Sequence, residues 1–206
     1  GLFTAVYGTS NTARAEIKNV TVEGTVSGGM KIAGIAGSAY WANFTGVINR
    51  ANVTGTSQYV AGIVGYSMQA ANGSYITLTN CGNEGAITGS NASVAGLVAY
   101  GKGSMVLVNC YNSGDITGSS TTASSGGTGG LVGYTQGYRS ASSLTNCYNT
   151  GNVNGKTGYA GGIVGSMYNG VTATNCYNTG TITGGNGKIG AVAGLAYNAS
   201  TSKAVN

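Results

Sequence analysis

The sequence predicts an all-β protein, a parallel β-helix (β-solenoid) of about six coils with 27 to 37 residues each. Three observations predict this fold: a small set of words recurs in constant order, the words keep fixed lengths while the joints between them vary, and Val, Ile, Thr and Tyr alternate with Gly, Asn and Ser. Fixed segments with variable joints are typical of stacked strands connected by surface loops, and the composition favours strands. The general preference for right-handed parallel crossovers predicts a right-handed helix.

The first recurring element is a four-residue apolar run framed by glycine. Its copies are GIAG at 34–37, GIVG at 62–65, GLVA at 96–99, GLVG at 130–133 and GIVG at 162–165, with partial forms GLFT at 1–4 and GLAY at 194–197. The apolar residues of these runs do not repeat with the 3.6-residue period of an amphipathic helix. A helix would also lose about 1 kcal/mol of stability for each Gly relative to Ala. Each run is therefore predicted to contribute a buried strand.

The second element places all four cysteines of the chain in one phrase: NCGNEG from Asn80, NCYNSG from Asn109, and NCYNTG from Asn146 and from Asn175. A glycine follows each cysteine by eight residues, and two valines keep the same step in the first two copies. Since equivalent residues of neighbouring coils stack, we predict one column, and its valines indicate that it faces the core. This column contains Val20, Val47, Cys81, Cys110, Cys147 and Cys176.

The thiols have three interpretations. Stacked Cα atoms lie within disulfide range, which allows pairs between Cys81 and Cys110 and between Cys147 and Cys176, although parallel strands disfavour the required dihedral. Zinc needs ligands that converge from several directions, whereas a column presents them in a line. We favour free thiols that pack as small hydrophobic groups. The sequence accordingly predicts no metal and no cofactor.

The asparagine before each cysteine forms a second predicted column: Asn80, Asn109, Asn146 and Asn175. Its amides can hydrogen-bond along the axis and to the backbone of the turn. The glycine that closes each phrase, at Gly85, Gly114, Gly151 and Gly180, is predicted to supply the positive φ of a tight corner. Stacked tyrosines beside these columns are interpreted as packing.

The chain also lacks the residues of many active sites. It has no His, which excludes Ser-His-Asp and Cys-His catalysis and histidine-based metal sites. Its four carboxylates are Glu16, Glu23, Glu84 and Asp115, and only the last two lie in adjacent copies near one corner, where exposed turns explain them. We therefore predict that the protein is not an enzyme and that it has no catalytic residue. The net charge of +5 is scattered, so no nucleic-acid partner is expected, and no apolar stretch is long enough for membrane insertion.

We interpret residues 1–206 as one repeat array. Its copies lie at about 1–28, 34–55, 62–89, 96–118, 130–155 and 162–184, with a partial copy at 194–206. Neither terminus has a polar or charged cap, although a free solenoid edge is a template for aggregation. The array is therefore expected to be an excerpt of a longer solenoid, or to have neighbouring subunits or domains stacked on its ends.

The GLVG and GIVG words, together with the NCYNTG phrase, resemble the GLUG repeat of bacterial surface proteins and of non-catalytic regions of some secreted immunoglobulin-A metallopeptidases. The resemblance covers nearly the whole chain and departs from the motif at Thr4 and Ala99, where the last Gly is expected. It implies an extracellular or cell-surface stalk or adhesin module of a bacterial secreted protein. It carries over no catalytic residue.

Three functions follow in order of preference. The first is a non-enzymatic structural or adhesive module, which acts as a rigid stalk or presents a surface to a host or environmental glycan or protein. Its expected contact regions are the variable loops Ser119–Gly129, Ser67–Tyr75 and Ala5–Ala15, because loops on a rigid scaffold commonly carry recognition. The alternative is an ice-binding solenoid with a threonine column formed by Thr54, Thr88, Thr117 and Thr183, which Ser27 and Asn154 interrupt. A carbohydrate-processing β-helix is the third.

Overall fold

The computed structural model describes residues 1–68, 75–91, 93–119, 126–136, 141–185, 188–197 and 203–205. Within these residues the regular structure consists of strands, with no helix. Every strand pairs in parallel with the equivalent strand of the next coil. The structure is therefore the predicted parallel β-solenoid of about six coils.

Each complete coil contains five short strands. The first two coils comprise β1 (Phe3–Tyr7), β2 (Ala15–Lys18), β3 (Thr21–Val22), β4 (Thr25–Gly28), β5 (Ile32–Ala33), β6 (Ala36–Tyr40), β7 (Ala42–Thr45), β8 (Ile48–Asn49), β9 (Asn52–Gly55) and β10 (Val60–Ala61). The next two comprise β11 (Val64–Ser67), β12 (Tyr75–Thr79), β13 (Gly82–Asn83), β14 (Ile87–Gly89), β15 (Val94–Ala95), β16 (Val98–Gly101), β17 (Ser104–Val108), β18 (Tyr111–Asn112), β19 (Ile116–Thr117) and β20 (Thr128–Gly129).

The last two complete coils and a partial seventh coil follow the same order. They comprise β21 (Val132–Thr135), β22 (Ser142–Thr145), β23 (Tyr148–Asn149), β24 (Val153–Asn154), β25 (Ala160–Gly161), β26 (Val164–Tyr168), β27 (Val171–Thr174), β28 (Tyr177–Asn178), β29 (Ile182–Thr183), β30 (Ile189–Gly190), β31 (Ala193–Tyr197) and β32 (Lys203–Val205). The five strands of a coil belong to five sheets, which we call A to E in chain order. Sheets A and B have seven strands, and sheets C, D and E have six.

The core runs along the axis because side chains of every sheet alternate between inside and outside. The two middle residues of each glycine-framed run point inward, and Ile35, Ile63, Leu97, Leu131 and Ile163 are fully buried. Opposite them lie inward residues of sheet B such as Phe44, Leu78, Leu107 and Leu144. A smaller apolar cluster joins sheets D and E through Val53, Val60, Ile87, Val94 and Ile116.

The first and the last glycine of each run lack a side chain for different structural reasons. A Cβ atom on the first glycine would collide with a buried asparagine side chain across the core, as at Gly96 with Asn112 and at Gly130 with Asn149. A Cβ atom on the last glycine would collide with backbone that packs outside sheet A, as at Gly37, where the carbonyl oxygen of Lys31 would lie 2.6 Å away. The two glycines of the motif therefore leave room for an asparagine side chain on the core side and for backbone on the outer side.

The predicted positive φ at the closing glycine of the phrase was wrong. The left-handed residues are instead the asparagines before the cysteines, with φ of 54° at Asn80 and 53° at Asn109 and Asn146. Asparagine tolerates this conformation better than other side chains that carry a Cβ atom. The closing glycines are required for space, because a Cβ atom on Gly114 would overlap the carbonyl oxygen of Gly85 in the coil below.

Candidate functional site

The cysteine column lies on the inner side of the corner between sheets B and C. Cys81, Cys110 and Cys147 are fully buried, Cys176 is half-buried, and all four are free cysteines. In the first two coils, Val47 is fully buried and Val20 packs against the core. The corner therefore accepts either residue type as a small apolar group.

Each thiol is bonded to backbone rather than directed at a ligand. The Sγ atom of Cys110 donates to the carbonyl oxygens of Val108 at 3.3 Å and of Leu78 in the coil below at 3.4 Å. Hydrogen bonds with Cys147 and Cys81, followed by burial, raise the pKa of Cys110 above its ordinary value. Among the described residues, no cluster of three or more His, Cys, Asp or Glu side chains could hold a metal ion.

The asparagine column of the sequence prediction lies on the outside of this corner. Its side chains form a ladder in which Asn109 donates to Asn80 at 3.3 Å, Asn146 to Asn109 at 3.3 Å and Asn175 to Asn146 at 3.2 Å. All four residues are exposed. Because these amides also face water, we expect the ladder to contribute less to stability than a buried one.

A second asparagine column, which the sequence reasoning missed, lies inside. Its members occupy the second Asn of each phrase and its equivalent in the second coil: Asn49, Asn83, Asn112, Asn149 and Asn178. The Nδ2 atom of each of the first four members donates to the Oδ1 atom of the next member at 2.6 to 2.7 Å. Each also donates to the carbonyl two residues later, as Asn112 does to Gly114 at 2.8 Å. The first four members are fully buried.

The repeated NxxN spacing was the available signal for this inner column. Both asparagines recur in every cysteine-bearing phrase, but residue type alone does not indicate which of them points inward. The column starts at Asn49, since Val22 takes this position in the first coil. The Oδ1 atom of Asn49 is consequently buried without a hydrogen-bond donor.

Tyrosine rings stack along two further lines. Tyr111, Tyr148 and Tyr177 are nearly parallel, with interplanar angles of 15° and 6°, and the rings of Tyr66 and Tyr100 lie at 13°. Parallel stacking covers the ring faces with neighbouring rings. These lines are therefore packing elements, as the sequence analysis interpreted them.

The carboxylates of the corner are engaged by neighbouring groups. The Oε1 atom of Glu84 accepts from the hydroxyl of Tyr111 at 2.6 Å, and its Oε2 accepts from Nε of Arg50 at 2.8 Å. These two contacts, with the Tyr111 hydrogen bond the larger cause, lower the pKa of Glu84. Burial, followed by the bond to Glu84, raises the pKa of Tyr111 to about 12. A general acid for glycoside cleavage needs the opposite shift, a raised carboxyl pKa.

Asp115 accepts a hydrogen bond from the next coil at a position where other coils use an asparagine side chain as the acceptor. Its Oδ1 accepts from the backbone N–H of Asn152 at 3.0 Å. Asn52 accepts from Ala86 in the same way, and Asn152 accepts from Thr181. Asp115 is thus one member of a column that links the backbones of consecutive coils.

The threonine column is continuous in register on the outer face of sheet D. Thr54 pairs with Thr88 and Thr88 with Thr117, and Asn154 lies between Thr117 and Thr183. The outer face of sheet B is richer in threonine, which the sequence analysis did not note. From the second to the sixth coil its outward positions carry Asn43, Thr45, Thr77, Thr79, Val106, Val108, Ser143, Thr145, Thr172 and Thr174.

Large exposed apolar side chains of the described residues concentrate at the two ends of the solenoid. Leu2, Phe3, Tyr7 and Met30 belong to the first coil, and Tyr177, Ile189, Tyr197 and Val205 to the sixth coil and the partial seventh. Of the three predicted contact loops, Ala5–Ala15 is described throughout, while 69–74 and 120–125 of the other two lie outside the described residues. Among the described residues there is no helix of the length and apolarity that a membrane crossing needs.

Together these features define a solenoid repeat protein whose corners are built from packed side-chain columns. Comparison with known families agrees, since residues 124–154 match the family model described as the GLUG motif. Residues 124–154 therefore carry the GLUG motif, and they include the glycine-framed run at 130–133 from which the resemblance was predicted. No curated protein matches the sequence.

A crystal structure with the same fold comes from Bacteroides ovatus, from a protein provisionally named an immunoglobulin A1 protease. It superposes with a TM-score of 0.72 at 19% sequence identity, and the alignment covers 93% of this chain and 56% of that one. The chain thus spans about half the length of the solved structure that it matches. At this identity the likeness establishes the fold alone.

Proposed function

We propose that the protein is a non-enzymatic extracellular module, a rigid β-solenoid that spaces or presents a binding surface. The observation that carries this proposal is the inner asparagine column, in which buried amides connect five consecutive coils at 2.6 to 2.7 Å. A buried polar network in a low-dielectric interior tolerates little distortion, because each broken bond leaves an unpaired group. Such a column stiffens the coils against bending and slippage of register.

The state of the carboxylates supports a non-catalytic role. Glu84 and Asp115, the two carboxylates that the sequence placed in adjacent copies, are held by Tyr111, Arg50 and the backbone of Asn152. Glu84 has a lowered pKa, which opposes proton donation near neutral pH.

The GLUG motif supports an extracellular or cell-surface location, because the motif occurs in secreted bacterial proteins. The low charge, 6% of residues, and the exposed polar ladders suit a module that contacts glycans or proteins outside the cell. The apolar side chains at both solenoid ends support stacking of neighbouring domains or subunits there.

The test combines shape with activity. Small-angle X-ray scattering of the purified chain should give the profile of a rigid rod, and incubation with immunoglobulin A1 and with a polysaccharide panel should release no product. Hydrolysis that is abolished by Glu84→Gln or Asp115→Asn would overturn the proposal. A scattering profile that shows a flexible chain would overturn the rigid-rod part of it.

Ice binding stays a second candidate because of one observation, the register of the hydroxyl-bearing columns. The outer faces of sheets D and B repeat threonine at the spacing of parallel strands, about 4.8 Å, and β-branched side chains hold few rotamers. A thermal hysteresis measurement decides it. A hysteresis gap lost in Thr79→Lys would assign the activity to sheet B, loss in Thr88→Lys would assign it to sheet D, and no gap would exclude it.

A further inference from the structure

The corner between sheets A and B in the first two coils differs from the described corners of the fourth and sixth coils. It carries Trp41, the single tryptophan of the chain, with Tyr7 and Tyr40 beside it. The ring centroids of Tyr7 and Tyr40 lie 4.3 Å apart, and those of Tyr40 and Trp41 lie 5.3 Å apart. Of these three aromatic residues, which we call the aromatic corner, Tyr7 lies within the predicted contact loop Ala5–Ala15, and Tyr40 and Trp41 lie outside the predicted loops.

Trp41 is an unfavourable choice for its backbone position. Its φ is +44°, in the left-handed region, which bulky side chains rarely adopt. The register through Ala42, Ile76, Met105, Ser142 and Val171 aligns it with Gly170, which has a φ of +58°. Glycine meets the geometry of this corner without strain, so the fold itself does not require a tryptophan.

A second unfavourable feature concerns the indole. Its Nε1–H is buried and has no acceptor among the described residues, and an unpaired buried donor costs free energy. Two independent penalties on one side chain are typical of a residue kept for function, since strained residues concentrate at binding and catalytic sites.

The rings of this corner are arranged differently from the stacked tyrosines. Their interplanar angles are 35° and 58°, against 6° to 21° in the stacked pairs that pack along the solenoid. Tilted pairs also occur where Tyr59 lies beside this line, at 40° and 53°, and between Tyr134 and Tyr168, at 32°. Tilted rings leave parts of their faces uncovered by each other, and Tyr7 is 46% exposed. The corner therefore offers aromatic faces as well as edges to a ligand.

Polar groups follow these rings two residues further along sheet B, where Glu16 pairs in register with Asn43. The Nδ2 atom of Asn43 donates to Oε1 of Glu16 at 2.6 Å, Nζ of Lys18 lies 3.2 Å from its Oε2, and the side chain of Glu16 is 43% exposed. The guanidinium of Arg14 is bound to the protein itself, because its Nη2 donates to the carbonyl oxygens of Ala42 and Tyr75, and its Nε is buried. The exposed polar groups on this part of sheet B are thus a carboxylate, the amide that donates to it and the lysine ammonium group that pairs with it.

We propose that Tyr7, Tyr40 and Trp41, with Glu16 and Asn43 beside them, form a binding site for neutral hexopyranose rings of an extracellular glycan. The C–H groups on one face of a pyranose ring carry partial positive charge and pack on the negative face of an aromatic ring. The ring hydroxyls hydrogen-bond to the carboxylate and the amide, as in sites that combine apolar walls with few polar groups. The inference rests on the proposed function, to which it adds a ligand class and a location.

The single tryptophan makes the experiment direct, because the intrinsic indole fluorescence reports on this corner alone. The purified chain is titrated with lactose, maltotriose, cellotriose and N,N′,N″-triacetylchitotriose, and binding is checked by saturation-transfer NMR. We expect a saturable change in Trp41 emission with at least one sugar, and at least a tenfold weaker affinity in Glu16→Gln. The absence of any saturable change across the four sugars would overturn the proposal.

Two variants separate loss of the site from loss of the fold. Trp41→Gly reproduces the glycine of the equivalent corner, so it should keep the midpoint of thermal unfolding while abolishing the saturation-transfer signal. Tyr168→Ala removes an aromatic ring from the corner between sheets A and B at the opposite end of the solenoid, where Tyr168 stacks on Tyr197. This variant should bind the sugar as the unaltered chain does. Full binding by Trp41→Gly, or equal loss in Tyr168→Ala, would overturn the proposal. Neither outcome would affect the rod shape or the lack of hydrolysis on which the proposed function depends.

Discussion

The α-carbon of Gly96 faces the side-chain amide of Asn112 across the core, so close that a Cβ atom on Gly96 would lie 2.5 Å from the Asn112 Oδ1 atom. The two residues come from two different words of the repeat, the glycine-framed run and the cysteine phrase. Their contact explains why the words recur together: the inner asparagine column needs a wall without side chains, and the first glycine of each run provides it.

Substitution of Gly96 by alanine should therefore be strongly destabilising. The added methyl group must displace either the buried amide of Asn112 or the backbone of Gly130, and overpacking of this kind costs about 1 to 3 kcal/mol. Gly29→Ala is the matched control, because nothing lies within 4 Å of a Cβ atom placed there. Urea unfolding should show a lower midpoint for Gly96→Ala only, and equal midpoints would contradict this explanation of the glycine.

The inner asparagine column should contribute more to stability than the outer one. Asn112→Ala removes the donor to the Oδ1 of Asn149 and one of the two acceptors of the Asn83 Nδ2 group, which keeps only the Gly85 carbonyl. An unpaired buried group of this kind costs about 1 to 3 kcal/mol. Asn109→Gly removes an exposed ladder member and puts glycine where Gly46 already occupies the same column with a φ of +62°. We expect a loss of several kcal/mol in the free energy of unfolding for the first variant and less than about 1 kcal/mol for the second. The reverse order would show that the inner column is not the main polar support.

Cys110→Val should be tolerated, because Val47 already fills this column fully buried. A swap between small apolar groups of similar volume costs less than about 1.5 kcal/mol. Cys110→Asp places a charge in the same core and should prevent folding. A thiol titration should detect four reactive groups per chain after denaturation, with Cys176 reacting first in the folded protein since it alone is half-buried. Fewer than four thiols in the denatured, unreduced chain would indicate a disulfide.

The Glu84 contacts should add a small stability term that depends on pH. The pKa of Glu84 is lowered from 4.5 in the folded chain, first by the Tyr111 hydroxyl and then by Arg50. A depressed carboxyl pKa means that this stabilisation is complete above pH 4.5 and is lost as the pH falls through the lower, folded value. The side chain is 33% exposed, so we expect less than about 1 kcal/mol. Chemical unfolding of Glu84→Gln and the unaltered chain should differ at pH 7 and converge near pH 2, and a gap that widens in acid would contradict the assignment.

The cysteine and outer asparagine positions were predictable because they repeat at a fixed step. Periodicity assigns residues to columns, and a valine at Val47 shows which side of the strand faces the core. The role of Gly114 was predicted wrongly for a local reason. Glycine in a turn usually indicates a positive φ, but here the limit on side-chain size comes from the coil below, which is distant in sequence.

The aromatic corner at Trp41 was beyond sequence reasoning for a related reason. Trp41 belongs to no recurring word, so the repeat pattern gives it neither a column nor a direction. Only the register of sheet B aligns it with Gly170 and shows that its backbone conformation is unusual for a tryptophan.

The sequence by itself determined the β-solenoid, the number of its coils and the stacking of equivalent residues, because a coil that stacks on its neighbour must repeat what the neighbour presents. The tertiary structure alone decided which asparagine of each phrase is buried, why each glycine lacks a side chain and which aromatic rings leave their faces open. These properties depend on distances between coils and across the core, and contacts of that kind join residues about 30 positions apart that no local pattern connects.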